Sequence, residues 1–240
     1  MQRVLQRRIR LTNGRRPVEH ASMQVITITE SDAAAPPAPL ADVIQVWFVE
    51  NWPAPRKAAE SLALRGLLAS HLGTLPEHLQ IVRDEHGKPR IANSPLEFNL
   101  SHTRSSALVG ICDGNALGVD LEHLGRERPV LQLAQRFFAP SEASALSLLD
   151  PLRRQTAFLE LWCCKEAVLK ALGRGLGFGL ARVEFALNER GEPRALTRVG
   201  EDLPHDWHVV RLRPAPDFAA ALAWQGPARR VQVCRTPPLV

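Results

Sequence analysis

The chain predicts an α+β fold built on antiparallel sheets, and three observations carry that prediction. Strand-like and helix-like segments follow one another as strand, helix, strands, helices, strands, not in the strict alternation of a parallel doubly wound sheet. Asp113-Gly114-Asn115 separates two apolar runs, a strong signal for an antiparallel hairpin. At 240 residues and 45% hydrophobic, the chain can bury a sizeable core as one large domain or two small ones.

Taken in order, residues 1–22 hold six arginines, one acid (Glu19) and no apolar periodicity, and read as a disordered basic tail. The tail accounts for the whole formal charge of +5, because the remaining residues carry 24 basic and 24 acidic side chains. With no basic bias in the folded body, a nucleic-acid partner is not expected. Gln24 to Thr29 reads as a strand, and Ser31 to Pro39 as a Pro/Ala loop. Val43 to Val49 is a strand. Pro55 to Leu72 is a helix, with Leu62, Leu64, Leu67, Leu68 and Leu72 as apolar positions and Gly73 as its stop. Leu96 to Leu100 is a short strand running into Ser101-His102-Thr103, and Ala107 to Cys112 and Ala116 to Glu122 are the two arms of the hairpin.

Val130 to Phe138 reads as a helix, and a second opens at Ser141 with Glu142 in its first turn. Asp150-Pro151 supplies an N-cap and first helical residue for a long helix that reaches Leu172 and stops at Gly173. Val183 to Leu187, His208 to Leu212 and Phe218 to Trp224 are the closing strands. No apolar run is long enough to span a bilayer, and the arginine-rich start lacks the apolar region of a secretory signal. The four cysteines show no C-x-x-C spacing. These features predict a cytoplasmic protein with no membrane partner.

Two segments carry the chemistry. In Gly118-Val119-Asp120-Leu121-Glu122, strand alternation puts Asp120 and Glu122 on one face and Val119 and Leu121 on the other. In Trp162 through Lys170, Trp162, Glu166 and Lys170 form one helical stripe at i, i+4, i+8. Facing each other, the strand and helix would bring together three carboxylates and an ammonium. That donor set suits Mg²⁺, with Mn²⁺ as a substitute, beside a phosphate. Of 30 basic residues only Lys57, Lys88, Lys165 and Lys170 are lysines, and three of them fall within motif-like segments, which favours roles for them that a guanidinium does not fill. Trp162 and Phe137-Phe138 read as core packing, and Arg126 and Arg128 as part of a solvated loop.

Gly87-Lys88-Pro89, Phe98-Asn99-Leu100-Ser101-His102-Thr103, Gly118 to Glu122, Arg136-Phe137-Phe138 with Glu142, and Trp162 to Lys170 with the trailing Gly173-Arg174-Gly175-Leu176 together resemble the Sfp-type 4′-phosphopantetheinyl transferases. The resemblance covers residues 85–180, with a weaker match on the helix carrying Arg65. It implies a fold of two similar α/β halves with the active site in the cleft between them. On this chain the halves would be residues 23–115, on the coenzyme A side, and 116–240, carrying the metal site and catalytic helix. It implies transfer of the phosphopantetheine arm of coenzyme A to a serine of an apo acyl or peptidyl carrier protein, releasing adenosine 3′,5′-bisphosphate, by a monomer. It further implies Mg²⁺ on Asp120, Glu122 and Glu166, with Glu166 and Lys170 catalytic and Lys170 beside the departing oxygen. Lys88 and His102 would contact phosphates, Arg65 the 3′-phosphate, the Gly87–Pro89 turn the adenine side, and His86 the coenzyme. Ser101 and Thr103 complete the coenzyme contacts. The alternative is a non-catalytic coenzyme A- or carrier-binding module on the same fold, which has no need of the full Asp120, Glu122, Glu166 and Lys170 set.

Overall fold

The computed structural model describes residues 23–27, 42–52, 61–201 and 205–235. The basic tail, the Ser31–Pro39 loop and the first residues of the helix expected from Pro55, Lys57 among them, lie outside the described residues. Among these residues the fold is α+β, made of two four-stranded sheets with a helix packed outside each. The first sheet contains β2 (Val43–Glu50), β5 (Leu96–Thr103), β6 (Ser106–Asp113) and β12 (Arg230–Arg235), in the order β12-β2-β6-β5. The second contains β1 (Val25–Thr27), β7 (Leu117–His123), β10 (Trp207–Arg213) and β11 (Phe218–Gln225), in the order β1-β10-β11-β7. Two hairpins stand apart, β3 (Ile81–Arg83) with β4 (Pro89–Ile91) and β8 (Val183–Leu187) with β9 (Pro193–Val199).

Both large sheets are antiparallel except at one outer edge, where β1 runs parallel to β10 and β12 parallel to β2. The first described strand thus joins the sheet of the second half, and the last joins the sheet of the first. The two sheets pack face to face through a core that takes Ile44, Val46, Phe48 and Leu108 from one and Leu117, Val119, Leu121, Leu212 and Leu222 from the other. Helix α1 (Leu62–Leu72) covers the outer face of the first sheet, with Leu64 and Leu68 against Trp47, Phe98, Val109 and Ile111.

The outer face of the second sheet is covered by α4 (Pro151–Leu172). Its start follows from the sequence: the Asp150 carboxylate accepts a hydrogen bond from Arg153 N at 3.0 Å, and Pro151 occupies a position where no donor is needed. Its end follows too, because Gly173 takes the left-handed conformation (φ 71°) that terminates helices. Two shorter helices, α2 (Val130–Phe137) and α3 (Pro140–Ser147), connect β7 to α4.

One expected feature is corrected. Asp113-Gly114-Asn115 does turn the chain, but β6 and β7 do not pair, because both edges of β6 are already bonded to β2 and β5. The turn instead hands the chain from one sheet to the other. Lys165 also departs from the functional role its motif suggested. It is fully buried, with Nζ 2.6 Å from Glu142 Oε2, 3.1 Å from Leu180 O and bonded to Val183 O. Glu142 in turn accepts from Ala139 N and Phe185 N, both at 2.9 Å. This saturated ion pair ties α3, α4 and β8 together and points away from the carboxylates of β7.

Candidate active site between the halves

The site is built where α4 crosses β7. Alternation holds along β7: Leu117, Val119 and Leu121 enter the core between the sheets, and Gly118, Asp120 and Glu122 lie on the other face. The helix comes unusually close there. A Cβ on Gly118 would lie 2.0 Å from Ala167 O and 2.5 Å from Ala171 N. Next to Gly118, β11 presents Ala219, Ala221 and Ala223 to the same helix. Small residues on both strands therefore let the helix backbone settle on the sheet and bring Glu166 and Lys170 within reach of β7.

Asp120 is the hub. It is 5% exposed, and its Oδ1 accepts from Ser101 Oγ at 2.8 Å and from Lys170 Nζ at 2.6 Å. Lys170 Nζ also donates to Val119 O at 3.1 Å, and Leu121 N donates to Ser101 Oγ at 3.3 Å. Asp120 Oδ2 is buried without a partner. Glu122 is held by Arg128, whose Nη2 lies 2.8 and 2.7 Å from its two oxygens. The Arg128 guanidinium in turn sits 5.8 Å over the Trp162 ring. Burial, followed by the negative charge of Asp120, pushes the Glu166 carboxyl up to about 7, with Lys170 opposing and Glu122 adding to the effect. Burial and Asp120 raise Glu122 as well, against the pull of Arg128.

Among the described residues no three His, Cys, Asp or Glu side chains form a ready-made metal cage. The negative charge of Asp120 nonetheless acts on both Glu122 and Glu166, and that of Glu122 on Glu166. A buried carboxylate oxygen with no hydrogen bond, near two acids whose carboxyls burial and the Asp120 charge both push up, marks a place short of positive charge. A hard divalent cation with oxygen ligands fits that deficit.

Residues 116–223 match the 4′-phosphopantetheinyl transferase superfamily. The 4′-phosphopantetheinyl transferase HetI of Nostoc sp. is 36% identical over 167 residues, 68% of each chain. The chain belongs to the 4′-phosphopantetheinyl transferase family. A putative transferase of Synechocystis sp. is 41% identical over 126 residues, 51% of each chain, and Sfp of Bacillus subtilis is 27% identical over 147 residues, 60% of this chain and 64% of that one. Among solved structures, the Thermotoga maritima holo-[acyl-carrier-protein] synthase aligns over 46% of this chain and 62% of its own, at 27% identity and a TM-score of 0.36.

On this transferase the structure gathers Asp120, Glu122, Glu166, Lys170 and Ser101 into one neighbourhood. His102 and His86 are exposed, the latter 3.7 Å from Glu85, and Thr103 stands at the end of β5. Gly87 (φ 84°) forms the turn that brings Lys88 toward α4. Lys88 is buried, and its Nζ donates to Leu117 O and Lys170 O, both at 3.0 Å, so it holds backbone at the junction of β7 and α4. Arg65 braces α1, with Nε 3.1 Å from Pro76 O and Nη2 2.5 Å from Leu79 O. Trp162 packs with Phe137, Phe138 and Phe158, as its core reading implied. Arg128 is the residue sequence reasoning misplaced. Its six-residue offset from Glu122 across a loop gives no periodic signal.

Two measurements probe this geometry. Gly118→Ala is expected to destabilise the transferase by about 1–3 kcal/mol, the usual cost of overpacking, because the new methyl meets backbone that cannot rotate away. A melting temperature equal to wild type would show that α4 does not sit so close. The second concerns pH. Because the folded Glu166 carboxyl is raised, the folded state keeps a proton that the unfolded chain releases between pH about 4.5 and 7, so the stability contributed by Glu166 falls as pH rises through that window. In metal-free buffer, Glu166→Gln should therefore melt several degrees higher than wild type at pH 8. The advantage should shrink below pH 7 and disappear near pH 4.5. A constant difference across that range would mean Glu166 is not held in a charge-crowded, buried place.

Proposed function

We propose that this enzyme transfers the 4′-phosphopantetheine group of coenzyme A to a serine of an apo acyl or peptidyl carrier protein, releasing adenosine 3′,5′-bisphosphate, and that it requires Mg²⁺ held by Asp120, Glu122 and Glu166. The carrying observation is the orphaned Asp120 Oδ2 among mutually repelling carboxylates, with the Lys170 ammonium 2.6 Å from the other oxygen of the same group. A charge-poor carboxylate cluster beside a fixed ammonium suits a diphosphate, which brings negative oxygens and shares a cation. Bound there, Mg²⁺ supplies positive charge to the diphosphate and to the acids that repel one another.

In this reading the serine oxygen forms a bond to the phosphorus that bears the pantetheine arm, and the bond from that phosphorus to the bridging oxygen of the nucleotide breaks. Glu166 takes the serine proton. Lys170, pinned by Val119 O and Asp120, donates a hydrogen bond to the bridging oxygen as charge grows on it. Ser101 fixes Asp120 from the side of the first half. Such a reaction needs alignment and charge neutralisation more than covalent help, and these residues provide alignment. The enzyme works in this reading as a cytoplasmic monomer. No helix of the described residues is long and apolar enough to cross a membrane.

The test is direct. The protein is incubated with coenzyme A, Mg²⁺ and several apo carrier proteins, and the products are weighed. One phosphopantetheine added per carrier is expected, absent when the acceptor serine is replaced by alanine, lost with a chelator and restored by Mg²⁺. No mass increase on any carrier would overturn the transferase reading. Undiminished transfer in the chelator would overturn the metal alone.

A further inference from the structure

The junction of the two halves is a strand edge bonded to side chains. β7 pairs with β11 along one edge and ends its sheet at the other. An edge strand leaves N–H and C=O groups that need partners when buried. Four of them are met without a strand. Lys88 Nζ donates to Leu117 O at 3.0 Å, Lys170 Nζ donates to Val119 O at 3.1 Å, Val119 N donates to Asn99 Oδ1 at 2.9 Å, and Leu121 N donates to Ser101 Oγ at 3.3 Å. Asn99 and Ser101 stand two apart on β5, so their side chains lean the same way, toward β7. Val119, the neighbour of Asp120, is thus gripped twice: its N–H by Asn99 from the first half, its carbonyl by Lys170 from the second. Lys88 reaches from the turn between β3 and β4 and binds Leu117 O as well as Lys170 O, a last-turn carbonyl of α4 that also accepts from Gly173 N at 3.2 Å.

We propose that Asn99, with Lys88, is a positioning residue that sets how the two halves are registered and so where Asp120 and Lys170 stand relative to the substrate. This rests on the transferase reading above. Asn99 touches no reacting group in it. It acts through the Val119 backbone, whose N–H it holds and whose carbonyl, in the next peptide, locates the Lys170 ammonium. Ordinary strand pairing would spread this task over many backbone bonds, whereas the seam concentrates it on a few side chains. The loss of one is therefore felt at the site.

The experiment compares wild type, Asn99→Leu (similar shape, no acceptor), Asn99→Asp (acceptor kept) and Lys88→Met, in the complete transfer assay and by residue-resolved amide exchange. Asn99→Leu should expose the Val119 amide to exchange while Leu121, held by Ser101, stays slow. Its kcat should fall roughly 10- to 100-fold, the scale of a 1 Å misplacement, with the KM for coenzyme A within a few-fold of wild type. Asn99→Asp should recover most of kcat. Lys88→Met should show the same kcat loss, and it carries the test if Asn99→Leu does not fold. A faster Val119 amide with wild-type kcat would overturn the proposal and leave Asn99 a stability residue. A KM effect with unchanged kcat would also overturn it by making Asn99 a ligand contact. Transfer by wild type separates these failures from that of the transferase reading, which fails only if wild type itself is inert on every carrier.

Discussion

Asp120→Ala and Glu166→Ala are each expected to abolish transfer, by about 10³-fold or more, while leaving the protein folded. The loss of a cation-holding carboxylate removes several kcal/mol of charge stabilisation from the reacting diphosphate, and each 1.36 kcal/mol is tenfold in rate. The two variants should differ in stability. Glu166→Ala removes an acid whose charge is opposed by burial and by Asp120, so its melting temperature without metal should hold or rise. Asp120→Ala also removes one negative charge, but it strips Ser101 and Lys170 of their shared acceptor and should melt lower than Glu166→Ala. Near-normal turnover of either variant at saturating Mg²⁺ would show that the metal assignment is wrong. An unfolded variant would show that the acids stabilise the fold instead of straining it.

Much of this arrangement was legible because it depends on short periodicities. Alternation along Gly118 to Glu122 gives the shared face of Asp120 and Glu122 without knowledge of any partner strand, and Asp150, Pro151 and Gly173 bound α4 by local chemistry alone. What the sequence did not disclose depends on distant pairing. β12 carries no mark of its parallel partner β2, nearly the whole chain away, and short β1 none of β10. Asp113-Gly114-Asn115 signals a turn faithfully, yet a turn does not say which strands pair once both edges of β6 are taken. The lysines show the same limit. Their scarcity singled out Lys88, Lys165 and Lys170, but only geometry separates an ammonium buried on Glu142, one that binds two carbonyls across the seam, and one that reaches Asp120. Asn99 draws little notice in the sequence because its neighbours Ser101 and His102 carry more familiar chemistry, although like Ser101 it is buried and bonds a backbone amide of β7.

The Lys170 ammonium makes two bonds that a neutral or bulkier group cannot copy, and this fixes the remaining large effect. Lys170→Met is expected to lower kcat by roughly 10²–10³-fold, the cost of removing one preorganised donor from a developing oxyanion, with the KM for coenzyme A changed only a few-fold. The split follows from when the interaction matters. In the ground state Lys170 already has Asp120 and Val119 O as partners, so it has little to gain from the bound coenzyme. Its benefit arises as charge gathers on the bridging oxygen, and an interaction made mainly in the transition state appears in kcat. Lys170→Arg should rescue poorly, because a planar guanidinium does not fit where a compact ammonium sits between one carbonyl and one carboxylate. Stability supplies an independent check of opposite sign to Glu166→Ala. Removing Lys170 leaves Asp120 without its counter-charge beside two other acids, so the variant should melt lower than wild type without metal, and added Mg²⁺ should recover part of the loss. If Lys170→Met instead raises the KM for coenzyme A and leaves kcat intact, Lys170 grips the resting substrate and another group must meet the departing oxygen.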